Sequence, residues 1–219
     1  MIIDERMSTF INSFSRGNTP WLDEIEKDAI ETRVPVIQKS TQNLIKFLLA
    51  LSKPKNILEV GTAIGFSTLL MSEYGPLDSH ITTIEKYEKR IPIARENFRR
   101  YGREDRITLL EGDAAEILKT LEEPYDLIFM DAAKGQYIHF LPEVLRLLAP
   151  GGILISDNVL QDGDIIESRF AVTRRNRTIH ARIREYLYVL THTAGLKTVI
   201  LPVGDGVTLT TSTESMLHE

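Results

Sequence analysis

Tyr125-Asp-Leu-Ile-Phe-Met130-Asp131-Ala-Ala-Lys134 and, after an intervening helical pattern, Gly152-Ile-Leu-Ile-Ser156-Asp157-Asn158 are the stretches whose reading decides the fold. Each is a short apolar run that ends in an acid. Strands of a parallel sheet covered on both faces read as near-continuous apolar runs of this kind. In open α/β sheets the ligand crevice lies outside the carboxyl ends of the strands. The two runs therefore deliver Asp131, Asp157 and the side-chain oxygen of Asn158 to one place. Three oxygen donors suit a hard cation such as Mg²⁺, with water or substrate completing its shell. Either acid alone could equally cap the helix or turn that follows it. The pair, with Lys134 three residues beyond Asp131, points to a metal.

The same alternation extends on both sides of these runs. Strand patterns at 56–60, 80–85, 106–110, 125–130 and 152–156 alternate with helical patterns at 66–74, 87–101, 114–121 and 137–148. That spacing means βαβ units and a parallel sheet with helices on both faces. Residues 2–15, 21–33 and 40–51 read as extra N-terminal helices, separated by polar breaks at 16–20 and near Pro35. Beyond Asp157, a loop of about fifteen residues leads to a helix over 176–193. Two strands, 197–202 and 206–211, then flank the turn Pro202-Val-Gly-Asp-Gly206. A turn that short closes a hairpin, so the last strand is expected to be antiparallel. The expected organisation is one α/β domain over 1–219, with N-terminal helices in 1–51 and a Rossmann-like sheet core in 52–219. No internal repeat, low-complexity segment or long linker divides it.

Composition removes several classes of function. With 219 residues, 42% hydrophobic and 26% charged, the chain is that of an ordinary globular domain. The absence of cysteine excludes disulfides, a thiolate nucleophile and a Cys-based zinc site. Met1-Ile-Ile-Asp-Glu-Arg6 carries charge where a signal peptide needs an apolar region. No apolar stretch approaches the ~18 residues of a membrane span. The expectation is a cytoplasmic protein with no membrane contact. A net charge of −5 gives no global attraction to nucleic acid.

The first strand ends in Glu59-Val-Gly61-Thr-Ala-Ile-Gly65-Phe-Ser67-Thr68. Glycines there permit a tight turn and close approach of a ligand to backbone. The helix that follows turns its free N–H groups toward the crevice. The spacing is not G-x-G-x-x-G, and no Gly-Lys-Ser/Thr follows, so neither the dinucleotide fingerprint nor a P-loop fits. Glu85 ends the second strand, 24 residues after Gly61, where an acid commonly accepts bonds from ribose hydroxyls. Asp113 follows the third strand. Gly61, Glu85, Asp113, Asp131 and Asp157 thus fall at one edge of one sheet. An adenosine-like cofactor at strands one to three and a metal at strands four and five fit that order.

Taken together, Glu59-x-Gly61-x-x-x-Gly65-x-Ser67, Glu85, Gly112-Asp113-Ala114, Asp131-x-x-Lys134-x-x-Tyr137 and Asp157-Asn158 resemble the cation-dependent O-methyltransferases. That family includes the catechol and caffeoyl-CoA enzymes and their bacterial relatives. The resemblance covers about residues 30–211. It implies a seven-stranded methyltransferase sheet with the last strand antiparallel and a homodimer. It also implies S-adenosylmethionine (SAM) in the crevice and Mg²⁺ or another divalent cation on Asp131, Asp157 and Asn158. Carried over by position, Gly61 and Ser67 belong to the methionine end of the cofactor site, Glu85 to the ribose, Asp113 and Ala114 to the adenine, Glu59 to the cofactor site, and Asp131 to both cofactor and metal. Ile37 falls where relatives often carry Met or Val beside the methyl donor.

The chemistry agrees with these residues. Methyl transfer from a sulfonium is an in-line displacement, so the protein must align donor and acceptor. A metal holding two adjacent acceptor oxygens orients the acceptor and lowers its hydroxyl pKa. Lys134 can take the proton or stabilise the oxyanion; otherwise it is a solvated surface lysine. A narrower resemblance, to the bacterial tRNA 5-hydroxyuridine methyltransferases, lies beyond Asp157. From Arg169 to Arg184 there are six arginines and no acid. Arg174, Arg175 and Arg177 are the expected contacts to tRNA phosphates. The same arginines could instead pair with Glu167, Glu185 or a dimer partner. The expected acceptor is 5-hydroxyuridine in a tRNA anticodon loop, whose 5-hydroxyl and 4-carbonyl are adjacent oxygens. The alternative is a small catechol-like or phenylpropanoid acceptor.

Overall fold

A computed structural model describes residues 4–212. Three helices come first: α1 (Glu5–Ser13), α2 (Pro20–Glu31) and α3 (Lys39–Ser52). Strands and helices then alternate through β1 (Asn56–Val60), α4 (Phe66–Tyr74), β2 (His80–Glu85), α5 (Ile91–Arg100), β3 (Ile107–Glu111), α6 (Ala114–Thr120), β4 (Tyr125–Met130), α7 (Tyr137–Leu147) and β5 (Leu148–Ser156). Helix α8 (Arg177–His192) and the hairpin β6 (Leu196–Leu201) and β7 (Val207–Ser212) complete the chain. All seven expected strands form, in the order β3-β2-β1-β4-β5-β7-β6. Strands β1 to β5 run parallel, and β7 enters antiparallel between β5 and β6.

Strand alternation sorts the core into two layers, because successive side chains point to opposite faces. On β4, Leu127 and Phe129 face the layer built by α2, α3, α4 and α5, while Ile128 and Met130 face α6, α7 and α8. β1 divides the same way, with Ile57 in the first layer and Leu58 and Val60 in the second. Helices therefore cover both faces, and the central strands are buried almost throughout. Helix α4 is buried over Phe66–Ser72, which explains its lack of a polar face.

Most boundaries fall within two residues of the sequence expectation, and the larger differences are these. Helix α5 begins at Ile91 and not at 87, because Tyr87–Arg90 form a turn and Pro92 occupies the first helical turn, where its missing N–H costs nothing. β5 begins at Leu148, four residues early, running through Pro150 and two glycines with a register shift opposite Tyr125 and Leu127. The loop after Asp157 is partly ordered as a 3-10 turn over Gln161–Ile166. Residues 2 and 3 of the first expected helix lie outside the described residues.

Strand order reverses at β1, whose neighbours are β2 on one side and β4 on the other. Connections leave in opposite directions there, which opens a crevice at the carboxyl ends of the strands. A cavity of about 520 Å³ occupies that position. Among the described residues, no helix is long and apolar enough to cross a membrane.

Candidate active site

The crevice is lined by the strand ends in order: Gly61 after β1, Glu85 at β2, Asp113 after β3, Asp131 after β4 and Asp157 after β5. Gly61 has φ +107°, and a Cβ there would lie 2.3 Å from the Asp131 carbonyl oxygen. Only glycine lets these two strand ends approach. Glu85 Oε2 accepts the Ala63 N–H at 2.7 Å, and Oε1 accepts Lys86 N–H at 2.9 Å and Tyr87 N–H at 2.8 Å. Those bonds hold its carboxylate in place, occupy both lone pairs of Oε1 and leave one on Oε2, on a residue that lines the cavity. Asp113 caps α6 through the Ala115 N–H at 2.9 Å, which, with Lys86, holds its carboxyl below the usual range. Ala114, Ile37 and Ser67 also line the cavity.

Glu59 takes a different position from the one expected. Its side chain has no exposed surface and is absent from the cavity wall. It accepts hydrogen bonds from the Ser67 and Thr68 hydroxyls of α4 and from Thr83 of β2, the last at 2.6 Å. Burial outweighs these donors and pushes its carboxyl up to about 7. Glu59 is thus a positioning residue that ties α4 and β2 to β1 and aims Ser67, not a residue that touches cofactor.

At the other end of the crevice, Asp131 and Asp157 sit on adjacent strands whose last paired residues are Met130 and Ser156. Lys134 Nζ donates to Asp131 Oδ1 at 2.7 Å, both side chains being about a quarter exposed. Asp157 is only 2% exposed, and among the described residues its carboxylate accepts one hydrogen bond, from Asn158 N–H at 2.8 Å. Burial first, then the Asp131 charge, push its carboxyl up to about 7. Asn158 is held at φ +56°, and its side-chain amide has no hydrogen-bond partner among the described residues. Among those residues, no group of three or more His, Asp or Glu side chains could hold a metal. The donor set is therefore two carboxylates and one amide. A buried, under-bonded carboxylate beside a second one is the arrangement that a divalent cation offsets.

Two acids of this wall were not singled out in the sequence. Asp205 lies in the β6–β7 turn, which folds over the crevice, and Asp162 donates its N–H to the Asp205 carboxylate. The turn is docked by Leu160 N–H on Asp205 O and Val159 N–H on Gly206 O, each at 3.0 Å. Local sequence marked the turn but not what it packs on. Six carboxylates and three cationic side chains line the cavity, a balance that suits a sulfonium and a divalent cation.

The arginine segment divides into two groups. Arg177 Nε donates to Val172 O at 3.3 Å, Arg182 Nη1 to Gly135 O at 2.9 Å, and Arg184 Nη1 to Ile165 O at 2.8 Å. These three pin the loop and the Lys134 turn to α8; Arg177, expected as a phosphate contact, spends Nε and Nη2 on the loop carbonyls of Val172 and Phe170. Arg169, Arg174 and Arg175 are exposed and, among the described residues, make no hydrogen bond or ion pair. Phe170, on the same loop, is 85% exposed.

Residues 12–213 match the family model described as O-methyltransferase. The chain belongs to that family. A catechol O-methyltransferase of Mycobacterium tuberculosis is 31% identical over 164 residues, covering 73% of this chain and 74% of that one. Caffeoyl-CoA O-methyltransferase 2 of Populus trichocarpa is 31% identical over 176 residues, covering 75% and 70%. The Podospora anserina methyltransferase PaMTH1, solved with S-adenosylhomocysteine bound, superposes with a TM-score of 0.86 at 31% identity, over 96% of this chain and 95% of that one. This chain is accordingly a SAM-dependent O-methyltransferase of the catechol and caffeoyl-CoA type.

Proposed function

We propose that this O-methyltransferase depends on a divalent cation, Mg²⁺ or a similar ion, and that its acceptor is 5-hydroxyuridine in a tRNA anticodon loop. Asp131, Asp157 and Asn158 would hold the cation, which when bound lowers the pKa of an acceptor hydroxyl and orients two adjacent acceptor oxygens. SAM supplies the methyl group. Glu85 would accept the ribose hydroxyls, Asp113 and Ala114 border the adenine, and Gly61, Ser67 and Ile37 border the methionine end and the methyl group.

The rest follows from residues of the chain. Lys134 stands 2.7 Å from Asp131 Oδ1, within reach of anything bound between the two acids. Its ammonium stabilises the oxyanion of the acceptor, or its amine, once deprotonated, takes the hydroxyl proton directly. Asp131 orients it. Asp157 is the more deeply buried of the two acids.

The observation that carries the acceptor is the group Arg169, Arg174 and Arg175, exposed and unpaired among the described residues, on the same segment as the exposed Phe170. Cations contact phosphates and an aromatic face stacks an unstacked base, which is how single-stranded RNA loops are bound. The segment joins the Asp157 strand end to α8, and Arg182 anchors α8 to the turn that carries Lys134. A homodimer is part of the same reading. A small catechol-like acceptor is the second reading, favoured by the relatives' names and by Asp162 and Asp205 on the cavity wall. Mass spectrometry of tRNA nucleosides from cells lacking the protein separates the two. Accumulated 5-hydroxyuridine supports the first; unchanged tRNA, with turnover of a catechol by the purified protein, supports the second.

A further inference from the structure

We propose that Tyr137 is a positioning residue that sets the spacing of Asp131 and Asp157 and supports Lys134. Tyr137 opens α7 and is fully buried. Its hydroxyl lies 3.0 Å from the carbonyl oxygen of Met130 and 3.1 Å from that of Asp157. Met130 is the residue before Asp131. The same Met130 carbonyl accepts the Asp157 N–H at 3.0 Å, the last rung between these strand ends. Beyond it the chains separate, Asp131 into the Lys134 turn and Asn158 into a left-handed conformation. The tyrosine hydroxyl thus bridges the two strand ends at the point where they diverge, and the Ala132 backbone N–H, just beyond Asp131, also bonds it.

Two further contacts fit this role. The Lys134 ammonium lies 5.7 Å from the centroid of the Tyr137 ring, within cation–π range. Tyr186 of α8 packs edge-on against the same ring at 5.5 Å, and its own hydroxyl bonds Ser156 Oγ at 2.6 Å. One aromatic side chain therefore touches the backbone flanking both acids and the lysine between them. A phenylalanine would fill the same volume without burying a hydroxyl, which carries a desolvation cost unless bonded. What the hydroxyl adds is geometry: groups behind a metal site orient its ligands, and their loss costs about 10–100-fold in affinity.

The consequence for the cation rests on the cation-dependent reading above, whereas the backbone consequence does not, so two measurements on Tyr137→Phe separate them. The first is amide hydrogen exchange without metal. Exchange is expected to quicken about tenfold or more in peptides covering 130–133 and 156–159, with β1 and α4 unchanged. The second is Mn²⁺ affinity by electron paramagnetic resonance, expected to fall about tenfold while SAM affinity by calorimetry stays within about twofold. Tyr186→Phe, which removes only the Ser156 bond, is expected to leave Mn²⁺ affinity near the parent's. Unchanged exchange at those peptides overturns the proposal. So does a uniform rise in exchange with SAM and Mn²⁺ binding lost together, which marks Tyr137 as core packing only. Unchanged Mn²⁺ affinity in a parent that binds Mn²⁺ overturns it as well. If the parent binds no cation, the cation reading falls and hydrogen exchange alone decides on Tyr137.

Discussion

Glu59 holds a carboxylate with no exposed surface, and the groups that hold it are hydroxyls, not a cation. Its carboxyl is raised from near 4.5 to about 7. Such a group takes up a proton on folding between those values, so its contribution to stability is greatest at low pH and is lost as pH rises through about 7. Thermal denaturation of the parent and of Glu59→Gln should show it: the parent's advantage shrinks as pH rises from about 5 to 8, and a constant difference contradicts the assignment. Glu85 is the contrasting acid, since its carboxylate borders the cavity. Glu85→Ala should weaken SAM binding by roughly 1.5–3 kcal/mol, about tenfold to a hundredfold, in calorimetry. Sequence position at a strand end located both acids. It could not distinguish them, because the partners of Glu59 come from residues 67, 68 and 83 and only folding brings them together.

Helix α8 breaks a rule of helix electrostatics. Arg174, Arg175 and Arg177 crowd its N-terminus, where negative charge is favoured, and no acid lies in its first turn. Arg177 is compensated by bonds to the loop carbonyls of Val172 and Phe170. Arg174 and Arg175 have no such partners among the described residues and are exposed. Replacing each by Glu should stabilise the fold by about 0.3–1 kcal/mol in urea titrations and abolish tRNA binding. Replacing each by Ala should lower the log–log salt slope of tRNA binding by roughly 0.7–0.9 per contact. Parent tRNA affinity at low and physiological salt in the double Ala variant refutes the RNA reading. Arg177→Ala should do the reverse, lowering stability while tRNA affinity changes little. The sequence showed one basic run; burial and hydrogen bonding divided it.

The whole molecule brings six strand ends and turns to one crevice, and binding there should register as global stability. Any ligand of the folded state alone stabilises by RT ln(1 + [L]/Kd), about 2.7 kcal/mol at a hundredfold excess over Kd. Mg²⁺ should therefore raise the melting temperature of the parent but not of Asp157→Ala, and chelation should abolish turnover; full activity in excess chelator contradicts the cation reading. Periodicity and turn residues by themselves determined the order of helices and strands, the parallel core and the antiparallel end. From these followed the acids at the strand ends, because buried parallel strands must all present their carboxyl ends at one edge. Only the tertiary structure decided what those acids do. It placed Glu59 beneath the crevice, put the Tyr137 hydroxyl between the Met130 and Asp157 carbonyls, folded Asp205 over the site and anchored Arg182 on Gly135. The bonds responsible join residues up to 47 positions apart. Local pattern records which face of an element is apolar; it holds no record of which distant donor meets which acceptor once those faces pack.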